Sequence, residues 1–258
     1  MNATVTWNMI GAELLKLRRN RGIMAFALFL TVGVTILYFG IGAIEHSSTP
    51  TSNGPIGGLR GFRDGLGALG LYFGMLAAVL IGSEAGTSDR SSGVFRDLVV
   101  TGRPRLALFA VRLPAAFIVT LAVTGLGYAL ALIGVFAFAG GTPTPSLSLI
   151  LQGAGWLALA DLAVVAFAVG IGSLTGSRAV TLTAVIGWVA IATNILLSVS
   201  FLGSLRDGLL TPALTQLAPL ADLHRTVSMA TGVAVIVTLA WIVIPALLGA
   251  WRTQTLDA

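Results

Sequence analysis

The chain has 258 residues, of which 56% are hydrophobic and only 10% are charged. Soluble domains carry about 25% charged residues, so a water-soluble fold is excluded: so few charges could not cover its surface. The apolar residues form long runs, and a run of about 20 allows a helix to cross the hydrocarbon core of a bilayer. The composition predicts an all-α, polytopic membrane protein with one transmembrane domain over residues 1–258.

Two further classes of site are unsupported by the composition. The net charge of +5 comes from residues at the ends of apolar runs, unlike the basic stripe or tail of a nucleic-acid-binding protein. The chain has no cysteine and only two histidines, so a disulfide or a thiolate metal site is impossible. His46 and His224 are too far apart in sequence to suggest a metal site, and we predict no nucleic-acid partner, metal or catalytic residue.

The first element, residues 1–21, has the pattern of an amphipathic helix. Its apolar side chains recur at helical spacing at Trp7, Ile10, Leu14 and Leu17. Its polar side chains fall elsewhere on the helix, at Asn8, Glu13, Lys16 and Arg19. This pattern favours an interfacial helix on the inner leaflet, with its basic end near lipid head groups. The alternative is a basic flank that only sets topology.

Six membrane spans follow, and their even number places both termini on one side. Their predicted ranges are 22–44, 66–83, 113–139, 149–172, 179–202 and 228–251. Eleven of the 15 lysines and arginines fall on the side of the termini: Lys16, Arg18, Arg19, Arg21, Arg90, Arg96, Arg103, Arg105, Arg112, Arg178 and Arg252. The positive-inside rule therefore predicts cytoplasmic termini.

The loops between the spans differ in character. Residues 45–65 are rich in Ser, Thr, Pro and Gly, which predicts an irregular outer loop. In the inner loop 84–112, Ser91 or Ser92 can cap a short helix that ends near Gly102. Such a helix would offer a surface to a soluble partner, and the alternative is an arginine-rich loop resting on lipid. Residues 203–225 are too apolar for a plain loop, and two prolines interrupt them.

These features together resemble the permease subunit of ABC-2-type exporters, especially bacterial drug or antibiotic efflux permeases. The resemblance covers the architecture of the whole chain. In residues it rests on AELLKLRRNRG at the N-terminus and on E-x-x-x…G-x-x-x-x-L-V…R-P-R in the second-to-third loop. It implies a multi-pass protein of the bacterial inner membrane that pairs with a second copy or a paralogue, each half docking on an ATP-binding subunit.

The resemblance also implies roles for particular segments. The loop would act as a coupling helix touching the ATPase, with its main contacts at Glu84, Gly93, Phe95, Arg96, Leu98 and Arg103. The interfacial helix would lie near the same subunit, and residues 203–225 would form short extracellular half-helices. A small lipophilic substrate would pass along the dimer interface, lined by the first, second and fifth spans.

The chain shows no sequence signal for binding ATP itself. A P-loop needs GxxxxGK[ST], and the only lysine is Lys16, in the sequence LLKL. We therefore expect no cofactor on this chain, with ATP and Mg²⁺ held by the partner ATPase.

Two polar residues within the spans are candidates for a substrate pathway. Asp161 lies in the fourth span, where an ionisable group is costly and usually functional. It is either a proton or cation contact, or a structural carboxyl hydrogen-bonded to Ser, Thr or Asn of a neighbouring span. Asn194 in the fifth span either joins helices or touches substrate. Gly70 and Gly74 form a GxxxG pattern that permits close helix approach.

Other functions compete with the permease hypothesis. An intramembrane serine protease needs a Ser and a His inside the bilayer, but both histidines lie outside the predicted spans. A lipid transferase normally needs several acidic residues, and the spans offer only Asp161. A secondary transporter using Asp161 is a third alternative, although no inverted repeat is evident.

Overall fold

The computed structural model describes residues 3–94, 100, 102, 104–220, 223 and 227–255, and their side chains from residue 6 onward. All the regular structure in these ranges is helical. The described residues contain six helices that are long and apolar enough to cross a membrane. This indicates a multi-pass membrane protein. The spanning helices are α2 (Arg21–Ser48), α3 (Gly58–Ser91), α4 (Arg105–Ala137), α5 (Leu147–Thr175), α6 (Arg178–Ser198) and α8 (Thr231–Thr255).

Two shorter helices accompany the spans. Helix α1 (Ala3–Arg19) precedes α2, and the single residue Asn20 separates the two helices. Between α6 and α8, a 3-10 segment (Ser200–Gly208) leads into α7 (Leu210–Leu217). Because the spans alternate in direction, α7 lies at the end of the bundle opposite the termini.

Helices α3 and α5 form the centre of the bundle. Of the most apolar stretch of each, 72% of the residues are buried, against 17% for α6 and 22% for α8. The contact between α3 and α5 is close because it is built from small residues: a Cβ on Gly86 would lie 2.8 Å from the carbonyl oxygen of Val169 and 3.1 Å from the Cα of Gly172.

Three of the spans contain a π-helical segment, in which a backbone N–H bonds to the carbonyl oxygen five residues earlier instead of four. The segments are Phe29–Gly33 in α2, Ala68–Tyr72 in α3 and Gly187–Ala192 in α6. Such bulges release backbone carbonyls and are frequent at functional sites. In α6, the carbonyl oxygen of Trp188 accepts from both the backbone N–H of Thr193 and its hydroxyl, the latter at 2.9 Å.

Helix α7 is buried although it does not span the membrane. Its residues Leu210, Ala213 and Leu214 are at most 3% exposed. Two indoles hold the region: Trp156 of α5 donates to the carbonyl oxygen of Leu214 at 2.8 Å, and Trp241 of α8 donates to that of Gly208 at 3.0 Å. These bonds and the cover by α5 and α8 supply partners for backbone that is not part of a span.

The second span is longer than predicted, at both ends. The irregular outer loop predicted over 45–65 is wrong in part, because α2 continues to Ser48 and α3 already begins at Gly58. Arg60 and Arg63 gave residues 58–65 a polar appearance, yet Phe62 and Leu66, one turn apart, are buried. One face of this first part of α3 therefore belongs to the core.

The short helix that Ser91 or Ser92 was predicted to cap falls largely outside the described residues, so this capping role stays a prediction. Ser91 is the last residue of α3, and both hydroxyls donate back to the carbonyl oxygen of Ser88, as is common at the C-terminal end of a helix. Gly93 and Gly102 have positive φ angles of 75° and 79°, which favour glycine.

The glycines of the predicted GxxxG pattern serve different purposes. A Cβ on Gly70 would collide with the indole of Trp156 in α5, so Gly70 does permit close helix approach. A Cβ on Gly74 would collide with the carbonyl oxygen of Leu69 in its own helix. Gly70 lies within the π-helical segment Ala68–Tyr72 and Gly74 follows it by two residues, so Gly74 accommodates a distortion of α3.

Candidate functional site

A cavity lies between α3, α6 and α7. It has a volume of about 400 Å³. Its lining is mainly apolar, and its uncharged polar residues are Tyr72, Asn194, Thr211 and Thr215. The remaining lining residues are Leu71, Phe73, Met75, Leu76, Val79, Ile186, Val189, Ala190 and Leu197.

Two of the π-helical segments border this cavity. Leu71 and Tyr72 come from the segment in α3, and Val189 and Ala190 from the segment in α6. At Tyr72 the backbone leaves the helical region altogether, with φ −128° and ψ −91°. The cavity is therefore built where both spans depart from regular α-helix.

Asn194 belongs to this cavity. Its side-chain amide is exposed and donates to the carbonyl oxygen of Ala190 at 2.8 Å, within its own helix. The interhelical hydrogen bond considered for Asn194 does not occur among the described residues. Its carbonyl group stays available to a ligand, and one amide with two threonine hydroxyls gives the apolar wall a few polar contact points.

Asp161 lies elsewhere in the bundle and does not line this cavity. It is 2% exposed, and its carboxyl accepts a hydrogen bond of 2.6 Å from the hydroxyl of Thr124 in α4. The contact has the form expected of a structural carboxyl joined to a threonine of a neighbouring span. The two predicted pathway residues are thus not brought together.

A group of ion pairs, separate from the cavity, joins the N-terminal helix α1 to the C-terminal end of α3 and the N-terminal part of α4. The ammonium group of Lys16 lies 2.6 Å from the carboxylate of Glu13 and 2.7 Å from that of Asp89. Asp89 also accepts from Arg112 at 2.8 Å, and the side chains of this pair are only 5% and 1% exposed. Burial raises the pKa of Glu13, while the adjacent Lys16 opposes the rise.

The apolar residues of helix α1 do not all have the same surroundings. Ile10 and Leu17 are buried and Leu14 packs on the core, whereas Trp7 is 68% exposed. The interfacial location of this helix stays a prediction. Glu13 and Lys16, predicted to be polar surface residues, face the bundle and form the ion pairs. Arg19 is exposed.

The predicted ATPase contacts are described only in part. Glu84 lies inside α3, where its carboxylate accepts from Asn20 at 3.0 Å and lies 3.5 Å from Arg178. Gly93 follows α3 and is exposed. Four further predicted contacts lie outside the described residues: Phe95, Arg96, Leu98 and Arg103.

Arginines at both ends of the inner loop bind helix termini. Arg90 donates to the carbonyl oxygen of Ser173 near the end of α5, at 3.2 Å, and Arg105 donates to that of Gln254 at the end of α8, at 3.3 Å. Cations at a helix C-terminus are favourable because the unpaired carbonyls there carry partial negative charge. These arginines thus have structural roles in addition to setting topology.

The sequence did not predict the buried ion pair between Asp89 and Arg112. Arg112 was counted only for topology, and Asp89 was treated as one residue of an inner loop. An acid and a base flanking that loop are a weak signal, because the sequence does not show that the two helix ends meet.

No protein-family model matches the chain, and no curated protein matches it significantly.

Proposed function

We propose that this chain is the permease subunit of an ATP-driven exporter of the ABC-2 type, and that it moves small lipophilic molecules. The observation that carries the proposal is the apolar cavity of about 400 Å³ between α3 and α6. Such a volume suits a drug-sized ligand, and the sparse polar groups suit its orientation. The resemblance of the N-terminal segment and of the second-to-third loop supplies the ATP-driven part of the proposal.

The packing of α6 supports movement at this cavity. Its most apolar stretch is only 17% buried, the least of the six spans, and few buried contacts allow local rearrangement at low cost. On the other side, α3 is fixed by its contact with α5. Helix α6 would therefore be the wall that moves, either against α3 or against a second permease copy.

The uncharged character of the cavity favours transport of a lipophilic molecule over chemistry. Among the described residues, no carboxylate, basic side chain or histidine lines it, whereas a proton-coupled transporter or a hydrolase needs such a group. Asp161, on which those alternatives depend, is bonded to Thr124 away from the cavity. We place the chain in the bacterial inner membrane with cytoplasmic termini, in line with its arginine distribution.

Affinity purification from native membranes tests the ATPase partnership. We expect a soluble P-loop ATPase to co-purify, and the double variant F95D/R96E to lose it. The control is L59D/R60E, which makes the same changes to an adjacent apolar–arginine pair at the start of α3, on the opposite side of the membrane. A chain that elutes without an ATPase, or that loses it equally with both variants, would overturn the docking proposal.

Filling the cavity tests the transport site. Ala190 lines the cavity, and its neighbour Ile191 is 61% exposed and does not. We expect A190F to lower efflux of a lipophilic fluorescent dye by about tenfold, because the phenyl ring would occupy space that the substrate needs, and a tenfold loss corresponds to about 1.4 kcal/mol of binding free energy. The control variant I191F should transport like wild type at equal protein level. Equal efflux by both variants would place the pathway elsewhere.

A further inference from the structure

Four basic residues precede or begin the first span, and the structure divides them into two groups. Lys16 is committed to Glu13 and Asp89 within the bundle. Arg18, Arg19 and Arg21 are exposed, and no hydrogen bond or ion pair joins them to any described residue. Three guanidinium groups are thus concentrated within four consecutive positions without a protein partner in that part of the chain.

The backbone fixes where these arginines lie. Helix α1 ends at Arg19, and α2 begins at Arg21. The intervening Asn20 caps α2 by accepting from the amide of Ile23, and its side chain donates to Glu84 of α3 at 3.0 Å. The bend is therefore anchored to the second span, and its arginines stand where the first span enters the membrane.

Exposed apolar side chains adjoin the arginines on both helices. On α1 the neighbour is Leu15, which is 61% exposed and lies one turn before Arg18 and Arg19; Trp7, 68% exposed, lies about three turns before Arg18. On α2 they are Phe26 and Phe29, whose stacked rings lie 6.3 Å apart and are about half exposed. A surface with arginines at one level and apolar groups beside them matches the boundary between head groups and acyl chains.

We propose that Arg18, Arg19 and Arg21 form a binding site for the head groups of anionic phospholipids, in the leaflet on the side of the termini. A guanidinium group binds a phosphate through paired N–H donors. The acyl chains of the bound lipid would lie against Phe26 and Phe29. Because Lys16 and Asn20 fix α1 to α3, the bound lipid would hold the N-terminal helix at the membrane surface.

Lipid retention by the purified chain in mild detergent tests this site. The probes are phosphatidylglycerol and phosphatidylcholine with identical acyl chains, and retained lipid is counted by native mass spectrometry. Each arginine near an anionic surface strengthens binding roughly fivefold. We therefore expect R18Q/R19Q to weaken phosphatidylglycerol binding by about 25-fold, and R18K/R19K to retain most of it. Phosphatidylcholine binding should not change.

The control variant is R60Q/R63Q, which removes two arginines that pair with Asp64 on α3 near the opposite end of the bundle. It should bind phosphatidylglycerol like wild type. Unchanged phosphatidylglycerol binding by R18Q/R19Q, or an equal loss in the control, would overturn the site. So would loss of a co-purified protein by R18Q/R19Q with lipid binding intact, since the arginines would then serve that protein. Lipid retention is measured on the isolated chain, so its outcome is independent of any ATPase subunit.

Discussion

At the scale of residues, the most consequential contact is the buried pair between Asp89 and Arg112. A charge buried in a protein is tolerated when a partner of opposite charge and good geometry accompanies it. Asp89 serves two such partners, Lys16 of α1 and Arg112 of α4, at 2.7 and 2.8 Å. One carboxylate thereby fixes three helices at the end of the bundle from which the second-to-third loop leaves.

Replacing Asp89 by Asn should destabilise the protein strongly. Removing one partner of a buried pair costs about 3–5 kcal/mol, because the remaining charge stays buried. The control is D64N, whose carboxylate is 32% exposed and pairs with exposed arginines, and which should cost about 1 kcal/mol or less. Thermal unfolding in detergent, followed by tryptophan fluorescence, gives the comparison.

A compensating variant separates charge burial from packing. In D89L/R112M both members of the pair become apolar, and such replacements are often neutral. The double variant should therefore recover most of the stability that D89N loses. If D89L/R112M proved less stable than D89N, the pair would matter for something other than its mutual neutralisation.

At the scale of elements, the contact between α3 and α5 determines the shape of the bundle. Helices in a membrane gain little from apolar contact as such, so close packing of small residues supplies their association. Gly86 and Gly172 allow the two backbones to approach. The cavity lies nearer the middle of α3, at residues 71–79, where α3 faces α6, which is packed much less completely.

Substituting Gly86 by Ala should weaken this contact. The new methyl group would lie 2.8 Å from the carbonyl oxygen of Val169, and overpacking costs about 1–3 kcal/mol. Gly125 in α4 is the control, because a Cβ there would meet nothing within 4 Å. G125A should be neutral or slightly stabilising, by roughly 0.5–1 kcal/mol. Equal stability of the two variants would mean that α3 and α5 can separate without penalty.

At the scale of the whole molecule, the spans form a packed centre with weakly packed flanks. Helices α3 and α5 are buried mainly by the protein itself, while α2, α6 and α8 expose most of their apolar surface. In a membrane these faces meet lipid or another protein chain. Extensive burial of the central helices and low burial of the outer helices suit a protein in which one span moves against another.

The topology can be tested directly because the chain has no cysteine. We expect single cysteines at Asn8 and Thr255 to be labelled by a membrane-impermeant maleimide only in inverted vesicles, and a cysteine at Asn53 only in intact cells. All three positions are exposed. Labelling of Asn8 and Thr255 from opposite sides would exclude six spans, and labelling of both from outside would reverse the predicted orientation.

The general architecture is largely determined by the sequence itself. Hydropathy and helical length are local properties, so runs of apolar residues identify the six spans, and four of the six predicted ranges end within about four residues of the described helices. The second and third spans are the exceptions, since both helices begin about eight residues before their predicted ranges. In the second span, Arg60 and Arg63 concealed the buried face of Phe62 and Leu66. The charge asymmetry that orients the chain is likewise readable without coordinates.

Tertiary structure alone decided which polar groups meet. Lys16 and Asp89 are separated by 73 positions in sequence, and nothing in the local pattern distinguishes Lys16 from the exposed arginines that follow it. Only packing shows that Trp156 holds α7, that Asp161 bonds to Thr124 and that Asn194 borders a cavity. Periodicity determines which face of a helix is apolar, but the choice of partner for each side chain depends on how distant helices pack together.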